Sequence, residues 1–199
     1  MVKDLKIKLV HYNTPNLGAQ WQTHFEFEPN VEIVNADITD VPCDALVSPG
    51  NSFGFMDGGL NLAISNKFGW GIQAELQRRI KQLPLHELLV GQAEIIENIN
   101  LKKLIICAPT MRVPGSHQIP ESTNAYLAMK AILITCISNA GIKSVAIPGL
   151  CTGTGRMPFE TAAYQMYKAY CEIIKNEVPE FPVFIDAVKQ DVQLRKRKM

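Results

Sequence analysis

Several features that would assign a function class directly are missing from this sequence of 199 residues. It contains five cysteines but no C-x-x-C pair, and four of the five lie in apolar segments, where a reduced cysteine behaves as a small hydrophobic residue. No pair among the four histidines has the spacing of metal ligands, and His117 lies in a polar loop where a solvated histidine is expected. We therefore expect neither a disulfide framework nor a metal site, and no motif indicates a bound cofactor.

Long apolar runs are also missing from the sequence. No run approaches the roughly 18 residues that a membrane-spanning helix requires. Residues 1–6 lack the apolar stretch of a secretory signal peptide. We therefore expect a cytoplasmic protein that has no membrane partner.

The sequence lacks an excess of charge of either sign, since 20 basic residues face 19 acidic ones and the formal net charge is +1. Four of the basic residues occupy positions 195–198, so residues 1–194 carry 16 basic and 19 acidic residues and a net charge of −3. This balance argues against a broadly basic nucleic-acid-binding surface. At most, residues 189–199 form a basic tail on a mildly acidic body, and nucleic acid is a weak candidate partner.

The common nucleotide-binding and hydrolase motifs do not occur. There is no G-x-x-x-x-G-K-[ST] sequence, which disfavours a P-loop ATPase. Pro158 occupies the last glycine position of the G-x-G-x-x-G pattern that would begin at Gly153, which disfavours a dinucleotide-binding Rossmann enzyme. Neither G-x-S-x-G nor H-E-x-x-H is present.

The sequence does contain short apolar segments that alternate with helical patterns. Segments 45–47, 103–108 and 144–147 are apolar almost throughout, which is typical of strands buried on both faces. The alternation predicts an α/β fold, a three-layer α/β/α sandwich with a mixed, mostly parallel central sheet, formed as one domain by residues 1–199. Strands are predicted over residues 5–12, 31–38, 45–47, 88–96, 103–108, 144–147 and 182–188, and helices within residues 15–29, 60–68, 72–80, 122–140 and 158–174.

Three residues are predicted to mark helix ends. Ser122 is suited to the N-cap of the fourth helix, because its hydroxyl can accept a hydrogen bond from a free backbone N–H group. Gly141 is expected just beyond the end of that helix, where a glycine often terminates the last turn. Pro158 is expected in the first turn of the fifth helix, where a missing N–H group costs nothing.

Two glycine-rich loops share one layout, in which a buried strand, several glycines and a helix follow one another. The first loop runs from Ser48 to Gly59 and the second from Pro148 to Met157. In an α/β sheet such loops lie at the carboxyl ends of strands, where ligands bind. Glycines let backbone N–H groups approach an anion, and the following helix N-terminus adds unsatisfied donors. Together the loops predict a diphosphate site, although each loop alone also fits a tight strand–helix turn.

Two polar residues beside these loops are suited to a nucleoside. Asp37 ends the strand-like segment 31–38, and an ionised carboxylate accepts a hydrogen bond from an exocyclic amine such as adenine N6. Asn51 carries donor and acceptor atoms and can bond ribose hydroxyl groups. The alternatives are that Asp37 is a capping or turn residue before Thr39 and that Asn51 is a left-handed turn residue.

Four segments of the sequence form a pattern that is specific when taken in order: Val34-Asn35-Ala36-Asp37-Ile38-Thr39, Asp44-Ala45-Leu46-Val47-Ser48-Pro49-Gly50-Asn51-Ser52, Gly58-Gly59-Leu60 and Ile147-Pro148-Gly149-Leu150-Cys151-Thr152-Gly153-Thr154-Gly155. In order and spacing they resemble the signature of the macro domain, an ADP-ribose-binding family. The resemblance covers roughly residues 31–176, and the pattern is similar to that of bacterial macro-domain proteins of the phage-tail or ADP-ribose-1″-phosphate-processing type. It implies that the ligand is ADP-ribose or an ADP-ribosylated macromolecule. Residues 1–30 precede it, and we expect them to add a strand and a helix.

The resemblance implies a role for each residue that matches the motifs of the family. Asp37 is expected to bind the adenine amine, with a backbone contact from Ile38, and Asn51 to contact the distal ribose. One diphosphate loop is formed by Gly58, Gly59 and Leu60. The second loop wraps the diphosphate from the other side, and its expected ligand-binding residues are Gly149, Cys151, Thr152, Gly153, Thr154, Gly155 and Arg156.

The sequence departs from the family pattern where catalysis would take place. Hydrolytic members of one large class follow the glycines with an apolar residue and then an Asp that orients or activates water. This sequence has Leu60 and Asn61 there, and an amide cannot act as a general base at neutral pH. Asp57 is the nearby carboxylate that can replace the missing one, although its charge also repels a diphosphate. The candidate catalytic residues are therefore Asn51, Asp57 and Asn61.

A second departure lies in the loop after the sixth predicted strand. The family often has an aromatic residue there that packs on the distal ribose, whereas this sequence has Gly155, with Arg156 where a glycine is usual. Arg156 is either a bidentate partner for a phosphate or a solvated loop residue. Phe53 or Phe55 can supply the missing aromatic surface.

Three functions remain in competition. The first is hydrolysis of an ADP-ribosyl linkage or of ADP-ribose-1″-phosphate, which the complete set of loops and Asp57 favour. The second is a reader that binds ADP-ribose without chemistry, which Asn61 favours. The weakest is an RNA- or nucleotide-binding module, which rests on the basic tail alone.

Overall fold

The structure is a computed structural model that describes residues 4–98, 103–115 and 118–195. His117 and residues 196–199 of the predicted basic tail lie outside these ranges. Within them, no helix is long and apolar enough to cross a membrane. The strands are β1 (Lys6–His11), β2 (Val31–Asn35), β3 (Ala45–Ser48), β4 (Glu94–Asn98), β5 (Lys103–Cys107) and β6 (Ser144–Pro148), and the helices are α1 (Pro15–Phe25), α2 (Gly59–Phe68), α3 (Gly71–Ile80), α4 (Asn124–Ser138), α5 (Phe159–Ile173) and α6 (Phe184–Arg195).

The strands form one six-stranded sheet in the order β2-β1-β6-β3-β5-β4. All neighbouring strands are parallel except β4, which runs antiparallel to β5. β1 lies inside the sheet, since Ile7 is opposite Val31 of β2 on one side and Val145 of β6 on the other. This sheet confirms the predicted mixed, mostly parallel architecture.

Helices cover both faces of the sheet and form the predicted three layers. On one face, Ile7 and Leu9 of β1 pack in a core with α1, α4 and α5. On the other face, Val10 packs in a second core with α2 and α3. The predicted helical spacing in residues 15–29 is confirmed, because Trp21 and Phe25 of α1 are both buried in the first core.

The strand predicted over residues 182–188 is wrong, because this segment leads into α6. Two ion pairs connect successive turns of that helix, from Lys189 Nζ to Asp186 Oδ1 at 3.0 Å and from Arg195 Nε to Asp191 Oδ2 at 2.8 Å. Such i,i+3 and i,i+4 pairs support a helix and have no counterpart in a strand. Residues 189–195 of the predicted basic tail therefore belong to α6.

Several predicted element ends are displaced. The strand expected over residues 88–96 begins only at Glu94, because Gly91 adopts a left-handed φ of +96° that turns the chain. Thr123, not Ser122, is the N-cap of α4, and the Ser122 hydroxyl accepts a hydrogen bond from the Asn124 N–H group at 3.2 Å. Two further ends differ: α4 ends at Ser138, three residues before Gly141, and Pro158 is the N-cap of α5 instead of its first helical residue.

Asp44 joins the start of β3 to the start of β6. Its Oδ2 atom accepts hydrogen bonds from the Lys143 N–H group at 2.9 Å and from both the N–H and the hydroxyl of Ser144 at 2.8 Å. Burial raises the pKa of Asp44, but the hydrogen bonds from Ser144 and Lys143 outweigh it, and the net effect lowers this pKa.

We expect Asp44→Ala to reduce the free energy of unfolding by about 1–2 kcal/mol, because charge-assisted hydrogen bonds are lost at a partly solvated site. Since the folded-state pKa is the lower one, the contribution is present above the unfolded-state pKa and disappears as the pH falls through the folded-state pKa. Urea denaturation at neutral pH and at about pH 3 measures both effects. Asp186→Ala, which removes only an exposed pair, is the control; equal losses in the two variants at neutral pH would contradict the prediction.

Candidate functional site

A cavity of about 550 Å³ opens at the carboxyl ends of β2, β1, β6 and β3. Arg156 is exposed and does not line it. All the other predicted site residues contribute to its wall: Asp37, Ile38, Asn51, Asp57, Gly58, Gly59, Leu60, Asn61, Gly149, Cys151, Thr152, Gly153, Thr154 and Gly155. The sheet therefore brings together two loops that are about 90 residues apart in the sequence.

The strand order arranges these residues in a row. Asp37 follows β2 at one end, the loop of residues 149–155 follows β6 near the middle, and residues 50–61 follow β3 at the other end. Neighbouring strands are about 4.8 Å apart, so the ends of β2 and β3 are separated by about 14 Å. The carboxylate of Asp37 and the amides of Asn51 and Asn61 thus lie on opposite sides of the central loop.

The N-terminus of α2 supplies one group of free donors. No side chain caps this helix, and its first backbone N–H groups have no acceptor within the helix. Gly59 has a left-handed φ of +55°, which a glycine adopts without steric cost. A Cβ atom on Gly58 or Gly59 would have no neighbour within 4 Å, so packing does not explain these glycines. The space above the N–H groups is open to a ligand.

The loop after β6 supplies the second group. It is closed by hydrogen bonds from Arg156 N to Gly153 O and from Met157 N to Cys151 O, both 3.0 Å. The intervening N–H groups of Thr152, Gly153 and Thr154 donate to no residue in the described part of the chain. Backbone N–H groups that have no protein acceptor and belong to the lining of a concave site are suited to an anion.

Two glycines of the second loop have close neighbours at the Cβ position, backbone at Gly155 and side-chain ends at Gly149. A Cβ atom on Gly155 would lie 2.6 Å from the Cys151 carbonyl oxygen and 2.8 Å from Ile119 Cγ2. A Cβ atom on Gly149 would lie 2.7 Å from Leu17 Cδ2. Gly153, in contrast, has nothing within 4 Å of the corresponding position, so it faces open space as Gly58 and Gly59 do.

The thiol of Cys151 is a packing group. Its side chain is buried, and its Sγ atom lies 3.7 Å from the Thr110 carbonyl oxygen. Burial raises the pKa of Cys151 to about 12. The thiol therefore stays protonated at neutral pH and offers no thiolate nucleophile to the cavity.

The structure confirms the capping interpretation of Asp37. Its Oδ1 atom accepts hydrogen bonds from the N–H group of Thr39 at 2.9 Å and from the Thr39 hydroxyl at 2.8 Å, so it caps the short 3-10 turn Ile38–Asp40. Its Oδ2 atom has no hydrogen bond to a described residue, and Asp37 lines the cavity. Capping thus holds the carboxylate through one oxygen and leaves the other without a protein donor.

Asn51 holds the first loop in shape through its side chain. Its Nδ2 atom donates to the Phe55 carbonyl oxygen at 2.9 Å, and its Oδ1 atom accepts from the N–H groups of Phe53 and Phe55 at 3.1 and 3.3 Å. Asn51 does not have a positive φ, so the left-handed turn interpretation is wrong. The loop presents the half-exposed Phe55 ring to the cavity, whereas Phe53 lies under the Arg112 guanidinium, 5.0 Å from its ring centre, outside the lining.

Asn61 is buried at the end of the cavity opposite Asp37, which we call the distal end. Its Oδ1 atom accepts a hydrogen bond from the Ser48 hydroxyl at 2.8 Å. This bond leaves the Nδ2 donors as the free polar group of Asn61. Asp57 is exposed and immediately precedes the α2 donors. Asp37 and Asp57 are the only carboxylates among the described residues that line the cavity.

The sequence model of the family described as Macro domain matches residues 47–166, which include both glycine loops and α2 to α4. This chain belongs to the macro-domain family. An uncharacterized protein of Aquifex aeolicus is 33% identical over 138 residues, which are 69% of this macro domain and 78% of the relative. Histone macroH2A1.1 of Capsaspora owczarzaki is 29% identical over 158 residues, 74% of this chain and 40% of that protein.

Solved macrodomains share the fold of this macro domain. The Oceanobacillus iheyensis macrodomain with ADP has a TM-score of 0.61 and 20% identity, covering 71% of this chain and 75% of its own. The macrodomain of Mycobacterium tuberculosis DarG has a TM-score of 0.58 and 21% identity, covering 71% of this chain and 90% of its own. At these identities the likeness concerns the architecture alone.

One wall of the cavity of this macro domain was missed by sequence reasoning. It consists of residues from the end of β1, from the β1–α1 loop and from α1, namely Val10, His11, Tyr12, Thr14 and Leu17. These residues precede the matched range, and the sequence contains no glycine-rich signal there. Only the insertion of β1 between β2 and β6 brings them to the site, and the sequence does not encode that strand order in any local pattern.

Proposed function

We propose that this macro domain binds ADP-ribose, free or attached to a macromolecule, in the cavity at the carboxyl edge of the sheet. The carrying observation is a row of groups along the cavity, in which Asp37 lies at one end, the N–H-rich loop after β6 near the middle, and the α2 N-terminus with Asn51 and Asn61 at the other end. The solved Oceanobacillus iheyensis macrodomain structures, one with ADP and a variant with ADPR, support this choice of ligand.

In this proposal each part of the ligand meets a different group. Adenine lies beside Asp37, whose free Oδ2 atom accepts from the exocyclic amine. The diphosphate lies between the α2 N-terminus and the loop after β6, where backbone donors compensate its charge. The distal ribose lies near Asn61 and the exposed ring of Phe55.

We further propose that the bound ADP-ribosyl group is released by hydrolysis, either from a macromolecule or from the 1″-phosphate. Asp57 takes a proton from a water molecule as the water oxygen attacks the electrophilic centre; the bond to the leaving group breaks, the leaving group takes the electron pair and a proton from solvent, and Asp57 returns its proton to solvent. Asp57 is assigned this role because Asp37 is engaged at the opposite end of the cavity.

We also propose a cytoplasmic location for the protein. The five free cysteines, four of them buried, support this location.

A reader without chemistry is the second candidate. The observation that favours it is the Ser48–Asn61 hydrogen bond, which fixes an amide and not a carboxylate beside the distal end of the cavity. Incubation with mono-ADP-ribosylated protein and with ADP-ribose-1″-phosphate separates the two candidates. Release of ADP-ribose supports hydrolysis, whereas binding without release on both substrates assigns the reader function.

Isothermal titration calorimetry with ADP-ribose tests the binding proposal that both candidates share. We expect a single site with measurable heat. If no binding is detected at millimolar ligand, the proposed function fails for both candidates.

We expect Asp37→Ala to weaken ADP-ribose binding by about 1–3 kcal/mol, because a charge-assisted hydrogen bond to the adenine amine is removed. The control is Asp40→Ala, since Asp40 does not line the cavity and its only ion pair among the described residues is with the exposed Lys67. Calorimetry on both variants measures the difference. Unchanged affinity in Asp37→Ala would show that adenine lies elsewhere.

A further inference from the structure

We propose that Tyr12 is the stacking face of the nucleobase subsite, so that a ring from the β1–α1 loop covers one face of the base while the carboxylate of Asp37 binds its edge. This inference rests on the proposed function and adds a residue outside the range that the family model matches. Tyr12 lines the cavity with 66% of its surface exposed. A large aromatic side chain that stays exposed inside a concave site is suited to a planar ligand.

The β1–α1 loop is held so that Tyr12 stays at the cavity. Asn13 has a left-handed φ of +50°, and its N–H group donates to Asn35 Oδ1 at 3.1 Å. The Thr14 hydroxyl donates to the Tyr12 carbonyl oxygen at 2.9 Å. These bonds fix the backbone that follows Tyr12, while its side chain stays largely exposed at the cavity.

The same bonds couple Tyr12 to Asp37. The Ala36 N–H group donates to the His11 carbonyl oxygen at 3.0 Å, and Asn35 accepts from Asn13. The segment immediately before Asp37 is therefore tied to the segment that carries Tyr12. β1 and β2 are adjacent in the sheet, about 4.8 Å apart. A base whose amine reaches Asp37 Oδ2 thus has its ring within reach of Tyr12.

A planar base needs a contact on its face as well as on its edge. A hydrogen bond to Asp37 reads the edge of the ring but leaves both faces in contact with water. Stacking on an aromatic side chain covers one face, and truncation of such a side chain to alanine weakens base binding roughly 5- to 150-fold. The tyrosine ring supplies this contact without a hydrogen bond from its hydroxyl.

The test is calorimetry with ADP-ribose and with ADP on wild type, Tyr12→Ala, Tyr12→Phe and Phe27→Ala. We expect Tyr12→Ala to bind both ligands roughly 5- to 150-fold more weakly, by the same factor, because both carry the base. Tyr12→Phe keeps the ring and should retain wild-type affinity. Phe27 is 88% exposed outside the cavity, so Phe27→Ala is the matched control and should bind normally. Thermal unfolding of Tyr12→Ala should match wild type, since an exposed side chain is removed.

Each other outcome has a defined meaning. Wild-type affinity in Tyr12→Ala overturns the Tyr12 proposal and leaves the proposed function intact. A loss with ADP-ribose but not with ADP places Tyr12 at the distal ribose and also overturns it. Failure of wild type itself to bind either ligand overturns the proposed function, and the subsite with it. An equal loss in Tyr12→Phe shows that the hydroxyl, not the stacking face, makes the contact.

Discussion

Substituting Gly58 by valine should weaken ADP-ribose binding roughly 100-fold and leave the fold nearly as stable as before. Gly58 has φ −142° and ψ 153°, an extended conformation that a β-branched residue adopts readily. A Cβ atom there meets nothing within 4 Å, so the isopropyl group enters open space above the α2 N–H groups. It would separate the diphosphate from these donors. Loss of charge-assisted hydrogen bonds worth about 3 kcal/mol corresponds to roughly 100-fold weaker binding.

Gly71→Val is the control for this substitution. Gly71 is also the beginning of a helix and also has no neighbour within 4 Å of a Cβ position, but it does not line the cavity. Calorimetry and urea denaturation of both variants separate binding from stability. We expect each variant to lose less than about 1 kcal/mol of stability, and only Gly58→Val to lose binding. Normal binding by Gly58→Val would move the diphosphate away from α2.

Elements whose pattern is local could be predicted from the sequence. The segments 45–47 and 144–147 are too short and too apolar to lie at a surface, and the structure buries them as β3 and β6. The loops that follow them carry glycines and lead into helices, so their position at the carboxyl edge follows from the way parallel strands are connected. For the same reason, most of the predicted site residues meet in one cavity.

Features that depend on strand order or on competing hydrogen bonds could not be predicted. The alternation in residues 5–12 predicts a strand but not its place between β2 and β6. The wall of the cavity that contains Tyr12 was therefore missed. The apolar residues of 182–188 fit a strand equally well until the charge pairs of α6 are considered. The role of Asn51 in holding Phe55 depends on a loop geometry that the sequence leaves open.

If the protein is a hydrolase, Asp57→Asn should lower the rate of ADP-ribose release roughly 10²- to 10⁴-fold, which is the usual contribution of a general base. The amide keeps the size of the side chain but cannot take a proton from water. Binding should not weaken, because the substitution removes a negative charge beside the diphosphate. Single-turnover release of ADP-ribose, together with calorimetry, measures the two effects separately.

A lower rate of release combined with undiminished binding distinguishes catalysis by Asp57 from a structural role. A side chain that merely supported the loop would, on substitution, weaken binding and rate together, whereas loss of a general base slows the reaction of a fully bound substrate. Asp186→Asn, an exposed carboxamide variant on α6, controls for charge removal at a distance. An unchanged rate in Asp57→Asn would clear this carboxylate of catalysis. Since Asn61 offers only its Nδ2 donors and Asp37 lies at the other end of the cavity, the chemistry would then depend on water positioned by the ligand itself.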